Sequence, residues 1–262
     1  MKLVILGSGG FVHTEEAQTA CYFLPEYGIL LDAGTGLPYR LSKYLQTTSL
    51  DVFLSHTHGD HTVGLTYIWA SFFRKLLAES TAPVDESVIN SISQGANELM
   101  NRARIHVTAE MLPVLKSHFF GLDFDWRILA GSESLPGGGT LTHFVLKPGR
   151  EEIGFRLDWP GHSLAYVTDT TASEEAAYIE KIAGVDLLLH DCDLPDDKSN
   201  IAAAISHSNT SAAAQVAARA GVKRLILIHK NPLGWPIETD LPAARRIFPA
   251  IEIGYDEMEV DF

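Results

Sequence analysis

The stretch Val52-Phe53-Leu54-Ser55-His56-Thr57-His58-Gly59-Asp60-His61 passes from an apolar run straight into four potential metal ligands within six residues. Val52–Leu54 has the composition of a buried strand. A segment as polar as His56–His61 directly after such a strand needs a partner for its imidazoles and carboxylate. Imidazole nitrogen and carboxylate oxygen together suit zinc and its first-row neighbours. Side-chain alternation puts His56 and His58 on one side, able to grip one ion. Gly59 permits the tight turn that swings Asp60 and His61 toward a second ion.

Working outward, other apolar runs end the same way. Leu164–Thr168 ends in Asp169, Leu187–Leu189 in His190-Asp191, and Leu225–Ile228 in His229. Near-continuous apolar strands suit sheets covered on both faces. In α/β sheets, sites form beyond the carboxyl ends of strands, so these polar residues are expected to converge. Asp169 is then placed to bridge two ions, and His229 to complete the second. His13, His106, His118 and His162 stand alone and read as surface or satisfied core residues.

The remaining pattern alternates strands with helices. Leu3–Leu6 and Gly28–Leu31 read as strands closed by glycine turns, GSGG and DAGTG. Apolar residues from Tyr67 to Leu77 and from Val88 to Met100 recur at helical spacing, separated by Pro83. Ile105–Val107 reads as a strand, followed by a helix capped by Thr108 and running to about Phe120. Thr142–Leu146 and Gly154–Trp159 read as strands, the second pairing with Leu164–Thr168 across Pro160-Gly161. Two helices are expected later, Ser173–Ala183 and one capped by Thr210 that stops at Gly221, with a last one over Pro242–Phe248. No repeat or linker breaks the pattern, so a single α/β domain spans residues 1–262, with a helical insertion over about 66–104.

The 262 residues are 46% hydrophobic and 20% charged, which excludes global disorder. A formal net charge of −13 disfavours a long nucleic acid, whose binding rests on Lys and Arg neutralising phosphates. A small-molecule substrate is expected instead. Cys21 and Cys192 lie far apart and read as reduced thiols. The apolar run Leu3–Leu6 is too short for a secretory signal, and no stretch approaches the roughly 18 apolar residues of a membrane span. The expected location is the cytoplasm.

HTHGDH at 56–61 resembles the HxHxDH signature of the metallo-β-lactamase superfamily. The order ILGSGG, LLDAGTG, HTHGDH, GFRL, YVTDT, LLLHDCD, HSNT, LILIHKN resembles the ribonuclease Z-like branch over nearly the whole chain. The resemblance implies a four-layer αβ/βα sandwich with two divalent ions at one edge, zinc being the expected metal and manganese or iron alternatives. It implies His56 and His58 on the first ion, Asp60 and His61 on the second, Asp169 bridging and His229 completing the second. His190-Asp191 resembles the branch's His-Glu pair. His207 of HSNT resembles the histidine that protonates the leaving group, oriented by an acid, here Asp191. A homodimer is a further implication.

Two departures stand out. The family places another metal-binding histidine just before the strand that reads GFRL; here Lys147 or Pro148 occupies that place. His143 lies four residues away, roughly 13 Å along a strand, so the first site is expected to be weak or open, with a Lys147 ammonium as one conceivable substitute. Ribonuclease Z also carries a tRNA-clamping arm between GFRL and YVTDT, whereas only Asp158–Ala165 separates them here. These features predict a phosphodiesterase of small nucleotide-like diesters. Water activated by two metals would attack phosphorus, with Asp60 accepting a proton and His207 donating one. The alternatives are a lactone, thioester or other ester hydrolase, and a non-catalytic metal-binding protein. The glycine turn Gly7–Gly10 is a candidate source of backbone N–H groups for the pocket.

Overall fold

The computed structural model describes residues 1–262. Its first sheet contains β1 (Lys2–Gly7), β2 (Cys21–Leu24), β3 (Ile29–Leu31), β4 (Leu50–Phe53), β5 (Ala103–Val107) and β6 (Asp125–Ile128) in sequence order. The second contains β7 (Ser132–Leu135), β8 (Gly139–Val145), β9 (Ile153–Trp159), β10 (His162–Val167), β11 (Leu187–Asp191), β12 (Arg224–Ile228) and β13 (Ile251–Ile253). The last strand, β14 (Glu259–Asp261), crosses back to pair antiparallel with β1. In both sheets an antiparallel half joins a parallel half; β3, β4, β5 and β6 are mutually parallel, as are β10, β11, β12 and β13.

Side-chain alternation builds the layers. Leu164 and Tyr166 of β10, Leu187 and Leu189 of β11, and Ile226 and Ile228 of β12 face the first sheet and join one core with Leu3, Ile5, Phe53 and Phe155. Their neighbours Ala165, Val167, Leu188, Leu225 and Leu227 face the other way. They are covered by α6 (Ile179–Ile182), α8 (Thr210–Ala220) and α9 (Leu241–Ile247), represented by Ile182, Val216 and Ala244. The first sheet is covered by α1 (Leu37–Tyr44), α3 (Ile68–Glu79), α4 (Glu86–Met100) and α5 (Met111–His118), through Leu41, Phe72, Ala96 and Leu115. Two sheets between two helix layers form the four-layer αβ/βα sandwich that the resemblance implied. No helix is long and apolar enough to cross a membrane.

Several expectations are corrected. The helix expected over Ser173–Ala183 is only α6; before it, Ala176 and Ile179 make turn bonds to residues three earlier, and buried Tyr178 reaches His190 through its hydroxyl at 3.0 Å. Asn209, not Thr210, occupies the N-cap position of α8, without a side-chain capping bond, and Thr210 is its first helical residue. Thr108 does accept from Met111 N at 3.3 Å, but α5 ends at His118. The aromatic stripe of the insertion is divided. Ile68 and Phe72 enter the core, while Trp69 is partly exposed, stacks on Phe73 and bonds Asn97 at 2.7 Å.

Candidate metal centre and active site

The carboxyl ends of β3, β4, β10, β11 and β12 meet at one edge of the sandwich. β4 leads through Ser55 to His56 and His58; the short α2 (Gly59–Thr62) carries Asp60 and His61. Asp169 follows β10, Asp191 ends β11, and His229 follows β12. Asp32 follows β3. The backbones of Asp32, Asp169 and His229 have φ of 55°, 47° and 60°. Such left-handed conformations are unfavourable for non-glycine residues and cluster where function requires them. At Gly10 a Cβ would meet the His229 ring at 3.1 Å, a contact so tight that the ring would have to give by a few tenths of an ångström.

Asp169 is central. Its Oδ2 lies 3.5 Å from His56 Nε2, and its Oδ1 lies 3.1 Å from His61 Nε2 and 3.4 Å from His229 Nε2. Asp60 Oδ2 lies 3.3 Å from both His61 Nε2 and His229 Nε2. Three ligand groups share residues: His56, His61 and Asp169; Asp60, His61 and His229; and Asp169, His207 and His229. His58 is brought to the same crevice but into none of these groups; it is exposed, with its ring edge-on to His56 at 4.5 Å.

The hydrogen bonds behind these rings orient their lone pairs. Asp32 is fully buried and accepts from His61 Nδ1 at 2.6 Å, Tyr166 OH at 2.5 Å, Ser55 Oγ at 2.7 Å and Ser55 N at 2.7 Å. His61 thus donates through Nδ1 and presents a bare Nε2. With its own proton committed to Asp32, Ser55 Oγ accepts from His56 Nδ1 at 2.9 Å, which bares His56 Nε2. Both Nε2 atoms are buried without a hydrogen-bond partner. Lone pairs of imidazole facing carboxylate oxygens repel unless a cation stands between them. The donor set therefore fits a divalent ion of the zinc type, and outer carboxylate–imidazole pairs are the usual support for such ligands.

The same carboxylates draw positive charge to this spot, and in the metal-free protein a proton on His61 supplies it. Burial disfavours charge on His61, but Asp169, Asp60 and Asp32 outweigh it and hold its pKa well above the ordinary value. Burial and then the charge of His61 push His56 down to about 3. Burial also opposes ionisation of Asp169, yet His229, His61 and His56 keep it well below the usual carboxylate range.

His207 sits beside this group, before α8. Its Nδ1 is 3.2 Å from Asp191 Oδ1, and its Nε2 is 4.0 Å from Asp169 Oδ2. Asp191 is fixed by Ser208 N at 2.8 Å. Burial lowers the His207 pKa, but Asp191 outweighs it and raises it. His58, Arg150, Glu152, Asp169 and His207 line a cavity of about 260 Å³ at this edge.

Other expectations fall away. His190 turns from the crevice toward Tyr178, so only Asp191 of that pair faces His207. Lys147 and Pro148 are exposed and stand away from the cavity, so no ammonium replaces a cation there. His143 is on β8 opposite Phe155 and joins no ligand group. The N–H groups of Ser8, Gly9 and Gly10 are consumed by Asp256, Gln18 and Lys230, so the glycine turn offers no donors to a ligand. Burial raises both thiols well above their ordinary value, and Cys192 packs into the helix-covered face of the second sheet. His106 is a satisfied core histidine, held by Asp51 at 2.7 Å.

Sequence reasoning missed Asp32, Ser55 and Tyr166, and the cavity-lining Arg150 and Glu152. Asp32 carried a usable signal: Ile29-Leu30-Leu31 ends in a carboxylate just as the other strands end in ligands. Tyr166 and Ser55 looked like ordinary strand residues.

Residues 27–230 match the family described as "Beta-lactamase superfamily domain". Ribonuclease Z of Synechococcus sp. (strain CC9605) is 30% identical, with 100% of this chain and 98% of that protein covered. That alignment extends over 318 positions although this chain has 262 residues, so the relative carries segments this chain lacks. Among solved structures, the metallo-beta-lactamase fold protein YhfI from Bacillus subtilis superposes with a TM-score of 0.77 at 16% identity, covering 99% of this chain and 98% of that one. The short form of human tRNase Z superposes with a TM-score of 0.68 at 18% identity, covering 100% and 99%. The turn between β9 and β10 is the tight Pro160-Gly161 hairpin, with no arm. The chain belongs to the metallo-β-lactamase superfamily, on its ribonuclease Z-like branch.

Proposed function

We propose that this metal-dependent hydrolase cleaves a small, nucleotide-like phosphodiester in the crevice lined by His58, Arg150, Asp169 and His207. The observation that carries the reading is His207, tethered through Nδ1 to Asp191 at 3.2 Å with Nε2 facing the ligand group. A histidine in this setting is a proton donor for a departing alkoxide. His56, His58 and Asp169 would hold one ion, and Asp60, His61, Asp169 and His229 the other. Zinc ions held there would supply Lewis acidity and lower the pKa of a coordinated water.

The protein's own groups do the rest. Asp60, beside both His61 and His229, accepts a proton from the attacking water. Asp191 holds the His207 ring in the tautomer and orientation for donation. Arg150 on the rim matches phosphate oxygens through its guanidinium fork. A cavity of about 260 Å³ suits a reacting diester with one flanking group. The net charge of −13 and the missing arm work against a folded RNA.

One finding favours a second reading: the relative at 30% identity is named Ribonuclease Z, so RNA belongs in the substrate panel. Carboxylic or thioesters are the other alternative. The experiment compares wild-type and His207→Ala proteins by turnover of a chromogenic phosphodiester and by metal content. We expect kcat to fall by about 10²–10⁴-fold, the range for loss of a general acid, with metal content unchanged. Turnover at the wild-type rate would remove the acid role, and loss of metal would make His207 a ligand instead.

A further inference from the structure

Five non-glycine residues hold a positive φ: Asp32, Asp169, Ser206, His229 and Glu257. A Cβ makes that conformation unfavourable, so it persists only where something else requires it. Asp32, Asp169 and His229 belong to the metal centre, and Glu257 pairs with Lys43 at 2.6 Å. That leaves Ser206, with φ of 65°.

Ser206 stands just beyond the end of α7 (Ser199–Ala204). Its N–H donates to Ala203 O at 3.3 Å, and His207 N donates to Ala202 O at 2.8 Å. This pair of bonds closes a helix and needs a left-handed residue at the turn. The end of α8 is built the same way: Gly221 N donates to Ala218 O at 3.2 Å and Val222 N to Ala217 O at 3.3 Å. There the left-handed residue is glycine, with φ of 63°, which carries no Cβ penalty. The chain thus has glycine where the turn only ends a helix, and serine where the same turn opens onto the cavity of the proposed active site.

Ser206 is half-buried and lines that cavity with Arg150, Ile205 and His207. The residues after it spend their side chains inside the protein. His207 Nδ1 donates to Asp191 at 3.2 Å, Ser208 Oγ to Thr170 O at 2.6 Å and Asn209 Nδ2 to Asp196 at 2.7 Å. Ser206 Oγ makes no such bond. The other donors on the cavity are the Arg150 guanidinium and the imidazoles of His58 and His207. A free hydroxyl among them suits an anionic oxygen.

We propose that Ser206 is a substrate contact: its hydroxyl donates to a phosphoryl oxygen of the diester whose leaving group His207 protonates. The proposal rests on the phosphodiesterase reading above. The backbone cost is kept because glycine, the unstrained residue for this turn, carries no hydroxyl.

Two variants separate contact from conformation. Ser206→Gly removes the hydroxyl and relieves the turn; Ser206→Ala removes the hydroxyl and keeps the Cβ. With metal-loaded full chain, kcat and KM are measured for a chromogenic phosphodiester, Kd for inorganic phosphate by calorimetry, and Tm. We expect Ser206→Gly to melt at or above the wild-type temperature. In both variants kcat/KM should fall, and the phosphate Kd rise, by about tenfold, the effect of one hydrogen bond to an anion. A wild type that binds no phosphate, or a Ser206→Gly protein with wild-type kcat/KM and phosphate affinity, would overturn the contact. A fall in kcat alone, with phosphate affinity unchanged, would also overturn it and make Ser206 only a support for His207. A metal-loaded wild type that cleaves no diester would overturn the reaction beneath the proposal, and the phosphate Kd values would still decide the contact.

Discussion

Replacing Asp32 by asparagine isolates the support behind the ligands without touching one. Its Oδ2 accepts three bonds, from His61 Nδ1, Tyr166 OH and Ser55 Oγ, and its Oδ1 accepts one from Ser55 N. An amide has a single acceptor oxygen. In the better of its two orientations, the NH₂ group faces Ser55 N–H, leaving that N–H and the amide's own N–H groups without acceptors and three bonds no longer made to an anion. One such loss costs about 1–3 kcal/mol. Weakening the anionic bonds makes about 2–3 kcal/mol a reasonable total, or about 4–12 °C in Tm for a chain of this size. Metal affinity should fall by about 10–100-fold, the usual effect of losing a carboxylate behind a ligating histidine. The assay is thermal denaturation of metal-free protein together with chelator competition. An Asp32→Asn protein that melts within about 1 °C of wild type and binds zinc equally well would refute the argument that this carboxylate aligns His56 and His61.

Three further outcomes follow from the packing and the charges. Burial opposes ionisation of Asp51, but hydrogen bonds from His106 and Arg104 outweigh it and hold its pKa below the usual value. A depressed carboxylate stabilises the fold above its unfolded pKa of about 3.9, and this is lost as pH falls through the folded value. Wild-type Tm should therefore drop as pH falls below about 4 more steeply than that of Asp51→Asn; parallel profiles would contradict this. Phe155 is fully buried, with its ring centroid 6.1 Å from Phe53 and 6.4 Å from Tyr166. Phe155→Ala should cost about 3–5 kcal/mol in urea denaturation, and a loss below 1 kcal/mol would show that the inter-sheet core repacks there. Metal should stabilise by mass action, about 2.7 kcal/mol at a hundredfold excess over Kd; a Tm unmoved by EDTA would contradict a metal held only by the folded chain.

The convergence of the candidate ligands was legible because of how parallel strands work. Each apolar run ending in His or Asp delivers that residue to the same sheet edge, so Asp169 and His229 could be paired with HTHGDH across more than a hundred residues. The inter-sheet core was legible for the same reason. Edge strands were not: Asp125-Trp126-Arg127-Ile128 is largely exposed and has no apolar run to announce it. The helix expected over Ser173–Ala183 failed because buried Tyr178 serves His190 rather than a continuous helical face. Asp32 was overlooked because DAGTG reads first as a glycine turn. Glu152 was invisible because its proximity to Ser55 and Thr57 arises from two bonds between distant loops, which no local pattern encodes.

Metal-dependent diester cleavage is the activity that the roles proposed for His207 and Asp60 require. The direct measurement is hydrolysis of a chromogenic phosphodiester by purified full-length protein, with zinc or manganese added and EDTA as the control, followed by cyclic nucleotides, dinucleotides and precursor tRNA under the same conditions. Metal-dependent turnover that EDTA abolishes is expected, with small diesters preferred over the tRNA. No diester turnover by protein shown to carry its metals would contradict it.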